Sequence, residues 1–365
     1  MLKHLYAAIL CGGGGKRLWP RSRIKKPKQF VKLFGKETIF QETVKRIKPL
    51  ISPSKILVIT NFDYVDEVRE QAPEIPKENI IAEPQARNTA LAMGVGAVYV
   101  KTRDPGGVII NLASDHLIKN TKEFRRRMLI AAKAASLGDY LLTVGIRPQF
   151  PHTGYGYIQV KREVARIDGE PIFKVERFTE KPNLATAKKF LKTGHYYWNA
   201  NLYTWRAEAA LKAFKRHVPK IARGLEKIEK AIGTKSEKKI LKEVYEDVEN
   251  ISIDYAISEK AKNMLMVVGD FDWSDIGDWK VVYDLGKKDK NGNVIIKHGE
   301  EGEHLGIDTK NCLVHFDDEL IATVGVENLI IVDAGNLILV CNKDKAQDVK
   351  KIVQELKQRG KKKYL

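Results

Sequence analysis

Short apolar runs alternate with longer amphipathic segments along the N-terminal half of the chain. Segments such as residues 38–47 and 123–135, whose apolar positions recur at helical spacing, predict helices. The apolar runs predict buried strands at residues 6–10, 55–59, 108–112 and 140–144. Because strands that alternate with helices are typical of βα units, we expect an α/β fold with a mostly parallel sheet.

The pattern changes twice in the C-terminal half. Residues 203–262 are mainly helical in pattern and strongly charged. After Asp289 the chain shows short β-rich runs separated by Gly and Asp, at residues 312–316, 320–324, 329–332 and 337–340. An amphipathic helix at residues 346–358 closes the chain. We therefore predict two domains, residues 1–289 and residues 290–365, of which the second is a small β-rich module.

Composition narrows the class of protein. The 64 basic side chains outnumber the 46 acidic ones and leave a net charge of +18, which attracts polyanions. Three widely spaced cysteines, Cys11, Cys312 and Cys341, fit neither a disulfide framework nor a zinc site, so we expect a reducing, cytoplasmic location. No apolar run approaches the roughly 20 residues of a membrane-spanning helix, and we expect no membrane partner.

The most specific chemistry lies in residues 11–30, CGGGGKRLWPRSRIKKPKQF. Residues 1–36 contain no acidic side chain, yet they include Lys16, Arg17, Arg21, Arg23, Lys25, Lys26, Lys28 and Lys32. Glycines let backbone N–H groups approach a polyphosphate closely, and the cations add full charges. The spacing matches neither the dinucleotide fingerprint nor the P-loop. We predict a phosphate site of a different kind.

Polar residues also follow two other predicted strands. Asp115 lies just beyond the strand at residues 108–112, where open α/β sheets place ligands, although a post-strand Asp often caps a helix or turn instead. Glu83, Asn88 and Thr89 follow the strand-like residues 79–82. Their side chains have the donors and acceptors that read a base edge, or they order the loop before the next helix.

The basic loop resembles that of the mannose-1-phosphate guanylyltransferases, which reads much like GGxGxRLWPxSRxxxPKQF. The resemblance continues through EPQARNTA (83–90), ASDH (113–116), TGYGYI (153–158), FTEKP (178–182), WNAN (198–201) and DWSDIGDW (272–279). It therefore covers nearly the whole chain. Lys16 stands where Thr is usual, and Arg21 where Leu is usual.

The resemblance implies a Rossmann-like nucleotidyltransferase domain with a mixed, mostly parallel sheet, and a left-handed β-helix-like C-terminal module. The expected reaction transfers GMP from GTP to α-D-mannose 1-phosphate and yields GDP-mannose and pyrophosphate. The sugar phosphate attacks the α-phosphorus in line, with Mg²⁺ as cofactor. Because the second pKa of a phosphate is about 6, this nucleophile needs no general base.

The resemblance also assigns roles to residues. Arg17, Lys28 and Asp115 would be catalytic, and Asp115 with Asp275 would hold the metal. The nucleotide would contact Gly12, Gly13, Gly15, Arg17, Glu83, Asn88 and Thr89. The sugar phosphate would contact Gly156, Glu180, Lys181 and Asn199. The family's short members, which lack an isomerase-type cupin domain, are the expected match, and they suggest a homodimer.

Three alternatives stay open from the residues. The enzyme could use another hexose 1-phosphate, such as glucose 1-phosphate, or another nucleoside triphosphate. A nucleic-acid-binding protein would use the +18 charge, but it would normally show aromatic platforms or a recognition helix, so we expect no nucleic-acid partner. An inactive sensor would have lost charged positions, whereas the chain has them all: Arg17, Lys28, Asp115 and Asp275. His116, His152 and His195 lack metal-ligand spacing, so zinc is not expected.

Overall fold

The computed structural model describes residues Leu2–Leu365 and divides into two compact units. Unit 1 contains the chain up to Gly12, then Val44–Ser114 and Ile118–Trp273. Unit 2 contains Gly13–Thr43, Asp115–Leu117 and Ser274–Leu365. Unit 2 thus joins the C-terminal quarter of the chain to the basic loop and to the short segment that carries Asp115.

The elements are numbered in chain order within the described residues. Strands β1 to β17 are Leu5–Cys11, Ile56–Asn61, Ile80–Glu83, Val108–Ala113, Leu117–Ile118, Leu141–Ile146, Tyr157–Ile167, Glu170–Thr179, Tyr196–Arg206, Met264–Gly269, Trp273–Ser274, Val294–Lys297, Glu303–Ile307, Leu313–Phe316, Leu320–Val324, Leu329–Asp333 and Ile338–Asn342. Helices α1 to α10 are Ile39–Ile47, Val65–Gln71, Asn88–Arg103, Thr121–Ala135, Leu184–Thr193, Ala207–His217, Pro219–Ala231, Glu237–Asp247, Trp279–Leu285 and Val349–Gln358.

The sheet of unit 1 has the strand order β3-β2-β1-β4-β9-β6-β10-β8-β7. β1 pairs in parallel with β2 and β4, β2 with β3, and β6 with β10. β9 runs antiparallel between β4 and β6, and the long hairpin of β7 and β8 extends the sheet beyond β10. The expected mixed, mostly parallel sheet is therefore confirmed.

Hydrophobic burial explains why these segments become sheet and helix. β1 and β4 are apolar at nearly every position and lie buried, as strands covered on both faces must. Helix α3 is buried from Ala90 to Val100 and packs in one core with residues of α6 and α7. Gly12 directly follows β1, and Glu83 ends β3. Because β1, β2 and β3 are parallel, both residues lie at the carboxyl edge of this sheet.

Unit 2 is a β-helix packed on the basic loop. β12, β14 and β16 pair in parallel in one sheet, and β13 and β15 pair in parallel in another, so successive strands alternate between two walls. Apolar residues from the basic loop, including Leu18, Trp19 and Val31, join the core of this module. The Trp279 indole N–H donates to the Trp19 carbonyl at 2.9 Å, and the Trp19 indole N–H donates to the Tyr364 carbonyl at 2.8 Å.

The sequence located most elements but missed some partners. The four expected N-terminal strands, the helices at residues 38–47 and 123–135, and the four C-terminal strands all occur, with ends shifted by a few residues at most. The hairpin β7–β8, the antiparallel strand β9 and the strand β10 were not predicted. β9 extends to Arg206, into the segment expected to be helical. Within residues 2–365, no helix combines the length and apolarity needed to cross a membrane.

The core of unit 2 predicts a large stability change. We expect Trp279→Ala to lower the free energy of unfolding by about 3–5 kcal/mol, because Trp279 is 0% exposed and its removal leaves a cavity. Trp279→Phe keeps most of the apolar volume but loses the N–H donor, and should cost less. Urea unfolding measures both. Ile352→Ala, at an exposed position of α10, is the control, and an equal loss there would contradict the proposed packing.

Candidate active site

A cavity of about 430 Å³ in unit 2 collects the charged residues of the basic loop and the two predicted metal ligands. It is lined by Gly13, Gly14, Gly15, Lys16, Arg17, Lys28, Gln29, Asp115, Asp275, Ile276, Gly277 and Lys350. Six residues predicted for the phosphate and metal sites therefore meet here: Gly13, Gly15, Arg17, Lys28, Asp115 and Asp275. They come from three segments far apart in the sequence.

Gly15 shows why the loop needs glycine. Its φ is +50°, in the left-handed region, and it precedes the 3₁₀ turn Lys16–Leu18. A Cβ atom at this position would lie 2.4 Å from the Lys28 Cβ and 2.7 Å from the Ser22 Oγ. Any side chain would therefore strain the backbone and displace Lys28. The glycine allows the loop to pass directly against Lys28, the lysine to which the family resemblance assigns a catalytic role.

Lys28 links the three segments by its ammonium group. Its Nζ donates to Asp115 Oδ2 at 2.9 Å and also to the backbone carbonyl of Asp275. The lysine side chain is 9% exposed, so its charge requires these partners. Lys28 begins a 3₁₀ turn that fixes its backbone, since the Phe30 and Val31 N–H groups donate to the Pro27 and Lys28 carbonyls.

Asp115 is held in its charged form. Burial raises the pKa of this carboxyl, but the charge of Lys28, the charge of His116 and the hydrogen bond from Lys28 outweigh burial. The pKa of Asp115 consequently lies below its ordinary value, and the carboxylate is ionised at neutral pH. The side chain remains 31% exposed, so it is accessible from the cavity.

The second predicted metal ligand lies on a strained turn. Ile276, directly after Asp275, has a φ of +44° and is fully buried. A β-branched residue rarely adopts this conformation, which costs about 1–3 kcal/mol. The Ile276 N–H donates to Ser274 Oγ at 3.2 Å, and the Ile276 side chain packs in the core of unit 2. Packing therefore fixes the backbone of this turn, including the Asp275 carbonyl that accepts from Lys28.

The sequence predicted one of two exposed cations at this cavity, Arg17, but not the other, Lys350. Arg17 was predicted, and its exposed guanidinium makes no ion pair or hydrogen bond with the part of the chain that the structure describes. Lys350 was missed. It lies at the start of α10, more than 300 residues from Arg17, in a helix that the sequence indicates only as amphipathic. No local signal distinguishes Lys350 from other exposed lysines, because only the packing of unit 2 brings it here.

The predicted base-reading residue Glu83 of unit 1 is held by Tyr245 of helix α8. Glu83 is buried and accepts a hydrogen bond from the Tyr245 hydroxyl at 3.0 Å. Burial raises the pKa of Glu83 to about 7, although the Tyr245 hydrogen bond opposes the shift. The Gln85 side chain donates to the Tyr245 carbonyl at 2.7 Å. Glu83 is thus close to half-ionised at neutral pH.

Asn88 and Thr89 begin helix α3 in an unusual conformation. Asn88 is exposed, with a φ of +66°, and its side-chain oxygen accepts from the Thr89 N–H at 2.9 Å. The Thr89 hydroxyl accepts from the Ile253 N–H at 2.9 Å. Asn tolerates the left-handed region, so it suits this position. Of the two residues, Asn88 is the one whose side chain lies open to solvent.

The predicted sugar residues form one cluster in unit 1. A Cβ on Gly156 would lie 2.6 Å from Glu180 Oε2, and the Gly156 carbonyl accepts from the Asn199 N–H at 2.8 Å. Glu180 forms an ion pair with its neighbour Lys181. Burial alone would lower the pKa of Lys181, but the Glu180 hydrogen bond and charge raise it. The structure therefore brings Gly156, Glu180, Lys181 and Asn199 together.

Asn199 belongs to a buried polar network. Its amide oxygen accepts from Thr143 Oγ1 at 2.9 Å, and its amide nitrogen donates to Asp254 Oδ1 at 3.1 Å. Tyr203 donates to the same Asp254 oxygen at 2.7 Å. Burial, with the charge of Glu180, raises the pKa of Asp254 to about 6, against the hydrogen bond from Tyr203 and the charge of Lys181.

Asp254 is the main residue of this region that sequence reasoning missed. It begins a π-helical turn, Asp254–Ser258, a rare element that often occurs at functional sites. Its neighbour Ile253 bonds Thr89, while Asp254 bonds Asn199. One short segment therefore holds both a predicted nucleotide residue and a predicted sugar residue. The sequence DYAISEK gave no periodicity or motif that indicates this role.

The chemistry of the unit 2 cavity fits a hard divalent cation. Asp115 and Asp275 offer carboxylate oxygens to one cavity, and the Asp115 carboxylate is ionised. In the described residues, no group of three or more His, Cys, Asp or Glu side chains could hold a metal ion. Two carboxylates suit an ion that takes its other ligands from substrate phosphates and water.

The comparisons with known proteins define the class. Residues 6–292 match the family described as Nucleotidyl transferase, and residues 302–356 match the MannoseP isomerase/GMP-like beta-helix domain. The protein is therefore a nucleotidyl transferase that carries a β-helix module, as the mixed sheet and the alternating C-terminal strands indicate. Nucleotidyltransferases of this family generally use a divalent metal ion.

Individual relatives narrow the family further. Mannose-1-phosphate guanylyltransferases of Klebsiella pneumoniae and Escherichia coli are each 37% identical to this chain over 364 residues, which cover 99% of it and 75% of the relative. A solved structure from Thermus thermophilus, described as a mannose-1-phosphate geranyltransferase, superimposes with a TM-score of 0.86 at 31% identity and covers 97% of this chain and 99% of its own. The chain belongs to the mannose-1-phosphate guanylyltransferase family.

The Lys28 contacts predict a pH-dependent stability. We expect Lys28→Met to lower the free energy of unfolding by about 3 kcal/mol at pH 7, because it leaves the Asp115 carboxylate unpaired. Asp115 has a lower pKa folded than unfolded, so its stabilisation is present above its unfolded pKa and is lost as the pH falls through the folded pKa. The difference between variant and wild type should therefore shrink from pH 7 towards pH 3.

Urea unfolding across this pH range is the measurement. Lys36→Met, at an exposed position of the same loop segment, is the matched control and should change stability little. A constant deficit for Lys28→Met at every pH would contradict the pairing and would indicate that Lys28 acts through packing alone.

Proposed function

We propose that this protein transfers GMP from GTP to α-D-mannose 1-phosphate, giving GDP-mannose and pyrophosphate. The observation that carries the proposal is the unit 2 cavity, where an exposed Arg17, a buried Lys28 and the carboxylates of Asp115 and Asp275 surround a glycine turn. This is the arrangement that phosphoryl transfer requires: positioning, cations and oxygen ligands, without an acid–base pair. The names of the relatives support GTP and mannose 1-phosphate as substrates.

In this proposal the loop binds the triphosphate. Backbone N–H groups of Gly12, Gly13 and Gly15 and the Arg17 guanidinium bind the β- and γ-phosphates, which leave as pyrophosphate. Lys28 lies beside the reacting phosphorus and stabilises the charge that develops on its oxygens. The sugar phosphate is already anionic at neutral pH and attacks in line, so these residues supply alignment and charge rather than a base.

The cofactor in the proposal is Mg²⁺, held by Asp115 and Asp275. A divalent ion bound there would supply positive charge to the phosphate oxygens and help to align them. The Asp115 carboxylate is kept ionised by Lys28, so it is ready to bind a cation at neutral pH. In the free protein the Lys28 ammonium compensates the charge of Asp115, whereas it contacts Asp275 through the backbone carbonyl.

The remaining contacts follow from unit 1. Glu83 accepts the guanine N1–H and amino group, and Asn88 and Thr89 complete the nucleotide site. Glu180 and Asn199 bind sugar hydroxyls, Lys181 binds the sugar phosphate, and Gly156 leaves room for the ring. Asp254 positions Asn199 through their hydrogen bond. Residues 1–289 form the catalytic domain and residues 290–365 the β-rich module in this proposal.

We also propose a homodimer in the cytoplasm. The β-helix exposes apolar side chains on two paired strands, Leu305 and Ile307 on β13 with Leu320 and Val324 on β15, each at least 51% exposed. A contiguous apolar surface of this kind marks an interface. Within residues 2–365, Cys11, Cys312 and Cys341 form no disulfide, which suits a reducing compartment.

Pyrophosphate release tests the reaction directly. We would combine GTP, ATP, UTP and dTTP with mannose, glucose and N-acetylglucosamine 1-phosphates in the presence of Mg²⁺, and we expect GTP with mannose 1-phosphate to be fastest. Asp115→Asn should reduce kcat at least about 100-fold, because the site loses an anionic oxygen ligand for the divalent ion. Asp270→Asn, at an exposed aspartate, is the control. Another preferred pair would overturn the substrates, and full activity of Asp115→Asn would overturn the site.

The raised pKa of Glu83 predicts how GTP use depends on pH. With a pKa of about 7, the ionised fraction falls from about 90% at pH 8 to about 10% at pH 6. Only the carboxylate accepts both guanine donors, so kcat/KM for GTP should fall about tenfold over this range, at saturating sugar phosphate.

Two variants separate Glu83 from other titrating groups. Glu83→Gln should lower kcat/KM at pH 8 and remove most of the pH dependence. Tyr245→Phe removes a hydrogen bond that lowers the pKa of Glu83, so the fall should move to higher pH. If Glu83→Gln keeps the wild-type profile and only loses stability, Glu83 orders the loop and does not read the base.

A further inference from the structure

The eight cations of the basic loop separate into two cavities of unit 2, and only one cavity is the proposed catalytic site. Lys16, Arg17 and Lys28 line the cavity with Asp115. The other five line a second cavity of about 620 Å³: Arg21, Arg23, Lys25, Lys26 and Lys32. The two cavities share no lining residue. The single phosphate site expected from the sequence therefore accounts for fewer than half of these charges.

The second cavity carries a strong excess of positive charge. Lys363 joins the five loop residues, so six cationic side chains face two acidic side chains, Asp317 and Asp318. One of these carboxylates is already used, since Arg21 Nη1 donates to Asp317 Oδ2 at 2.6 Å. Within residues 2–365, the ammonium groups of Lys25, Lys26 and Lys32 have no ion pair or hydrogen bond. The cavity therefore presents charges that the protein does not neutralise.

Two arginines, Arg21 and Arg23, hold positive charge in the wall of the second cavity. The Arg21 side chain is 13% exposed, and its Nε and Nη2 have no hydrogen-bond partner in the described chain. Arg23 donates to the Pro20 carbonyl and to the Ala334 carbonyl, both at 3.0 Å. Burial and the nearby Arg21 charge lower the pKa of Arg23. A partly buried charge is weakly screened, so the potential in the cavity is strongly positive.

The rest of the lining is suited to the uncharged part of a ligand. Pro20, Val31 and Ala334 give an apolar wall, and His298 adds a polar group. Burial and the Arg21 charge lower the pKa of His298, so its ring is neutral at pH 7, and its Nε2 lies 3.0 Å from the His315 Nε2. The volume is in the range of small-molecule sites.

We propose that this cavity binds a small phosphate ester, with the phosphates among Lys25, Lys26, Lys32 and Lys363 and the ester group on the apolar wall. Arg21 and Arg23 lie on the same segment as Arg17 and Lys28, and they bond Asp317 and Ala334 of the β-helix. A ligand bridging these parts would restrain the loop that holds the triphosphate. The site therefore regulates turnover. Regulation rests on the proposed function, whereas the binding of a phosphate ester at this cavity does not.

Binding is tested by calorimetry with GMP and with inorganic pyrophosphate on the full chain. Arg17→Ala is the background, because it weakens the phosphate site of the proposed catalytic cavity. We expect about one equivalent of GMP to bind, more tightly than pyrophosphate, with an affinity that falls as salt rises. Replacing Lys25, Lys26 and Lys363 with Ala should weaken binding about tenfold, because each exposed cation contributes a modest share.

The matched control replaces three exposed lysines of unit 1, Lys230, Lys235 and Lys238, with Ala and should leave binding unchanged. An equal loss in this control would show only a general charge effect and would overturn the site. Pyrophosphate binding as tightly as GMP would overturn the ester preference. Binding of an oligonucleotide but of neither small probe would overturn the small-molecule assignment.

Regulation is tested separately, by measuring kcat of the wild-type protein with and without GMP. GMP added at saturating substrates should change kcat, and the Lys25, Lys26 and Lys363 variant should lose this effect while it keeps its basal kcat. An effect that survives in the variant would place GMP in the catalytic cavity and would overturn regulation. A protein that binds GMP at this cavity but releases no pyrophosphate would overturn the proposed function and leave the binding site intact.

Discussion

The buried ammonium of Lys28 is the constraint on which the candidate site depends. A charge that is nine-tenths buried must find partners, and it finds them in the Asp115 carboxylate and the Asp275 carbonyl, each on a different segment of the chain. The same contact keeps the pKa of Asp115 low. Gly15 then passes close to Lys28 because it has no side chain. The Lys28 ammonium thus has two roles. It joins three segments of the chain, and it keeps the Asp115 carboxylate ionised and able to bind a cation.

Much of the fold could be predicted because its strands are continuous apolar runs. β1, β2, β4 and β6 are buried on both faces, so their sequences are distinctive. The hairpin β7–β8 was missed for the opposite physical reason: it is polar and partly exposed over much of its length, so burial leaves a weak pattern. The antiparallel direction of β9 depends on pairing across the sheet, which no local periodicity encodes.

The residues of the candidate site also differ in whether they could be predicted from sequence. Residues in compact motifs, such as Arg17 with Lys28 or Glu180 with Lys181, could be proposed from sequence because glycine turns and family-like spacing mark them. Lys350 and Asp254 could not, since each reaches its neighbours only through tertiary packing. The sequence also suggested one basic phosphate site where the structure has two cavities, because linear charge density does not show on which side of a turn each side chain emerges.

The indole contacts of Trp19 and Trp279 limit how this chain can be divided or recombined. Trp19 follows Arg17 by two residues, yet its neighbours are Trp279 and Tyr364, and its ring belongs to the core of the β-helix. A cut near residue 289 would leave the N-terminal piece with an uncovered apolar loop, and the C-terminal piece without part of its core. In an engineered hybrid, the β-helix would therefore need to be exchanged together with the glycine loop, as a single inherited block made of segments that are distant in the gene.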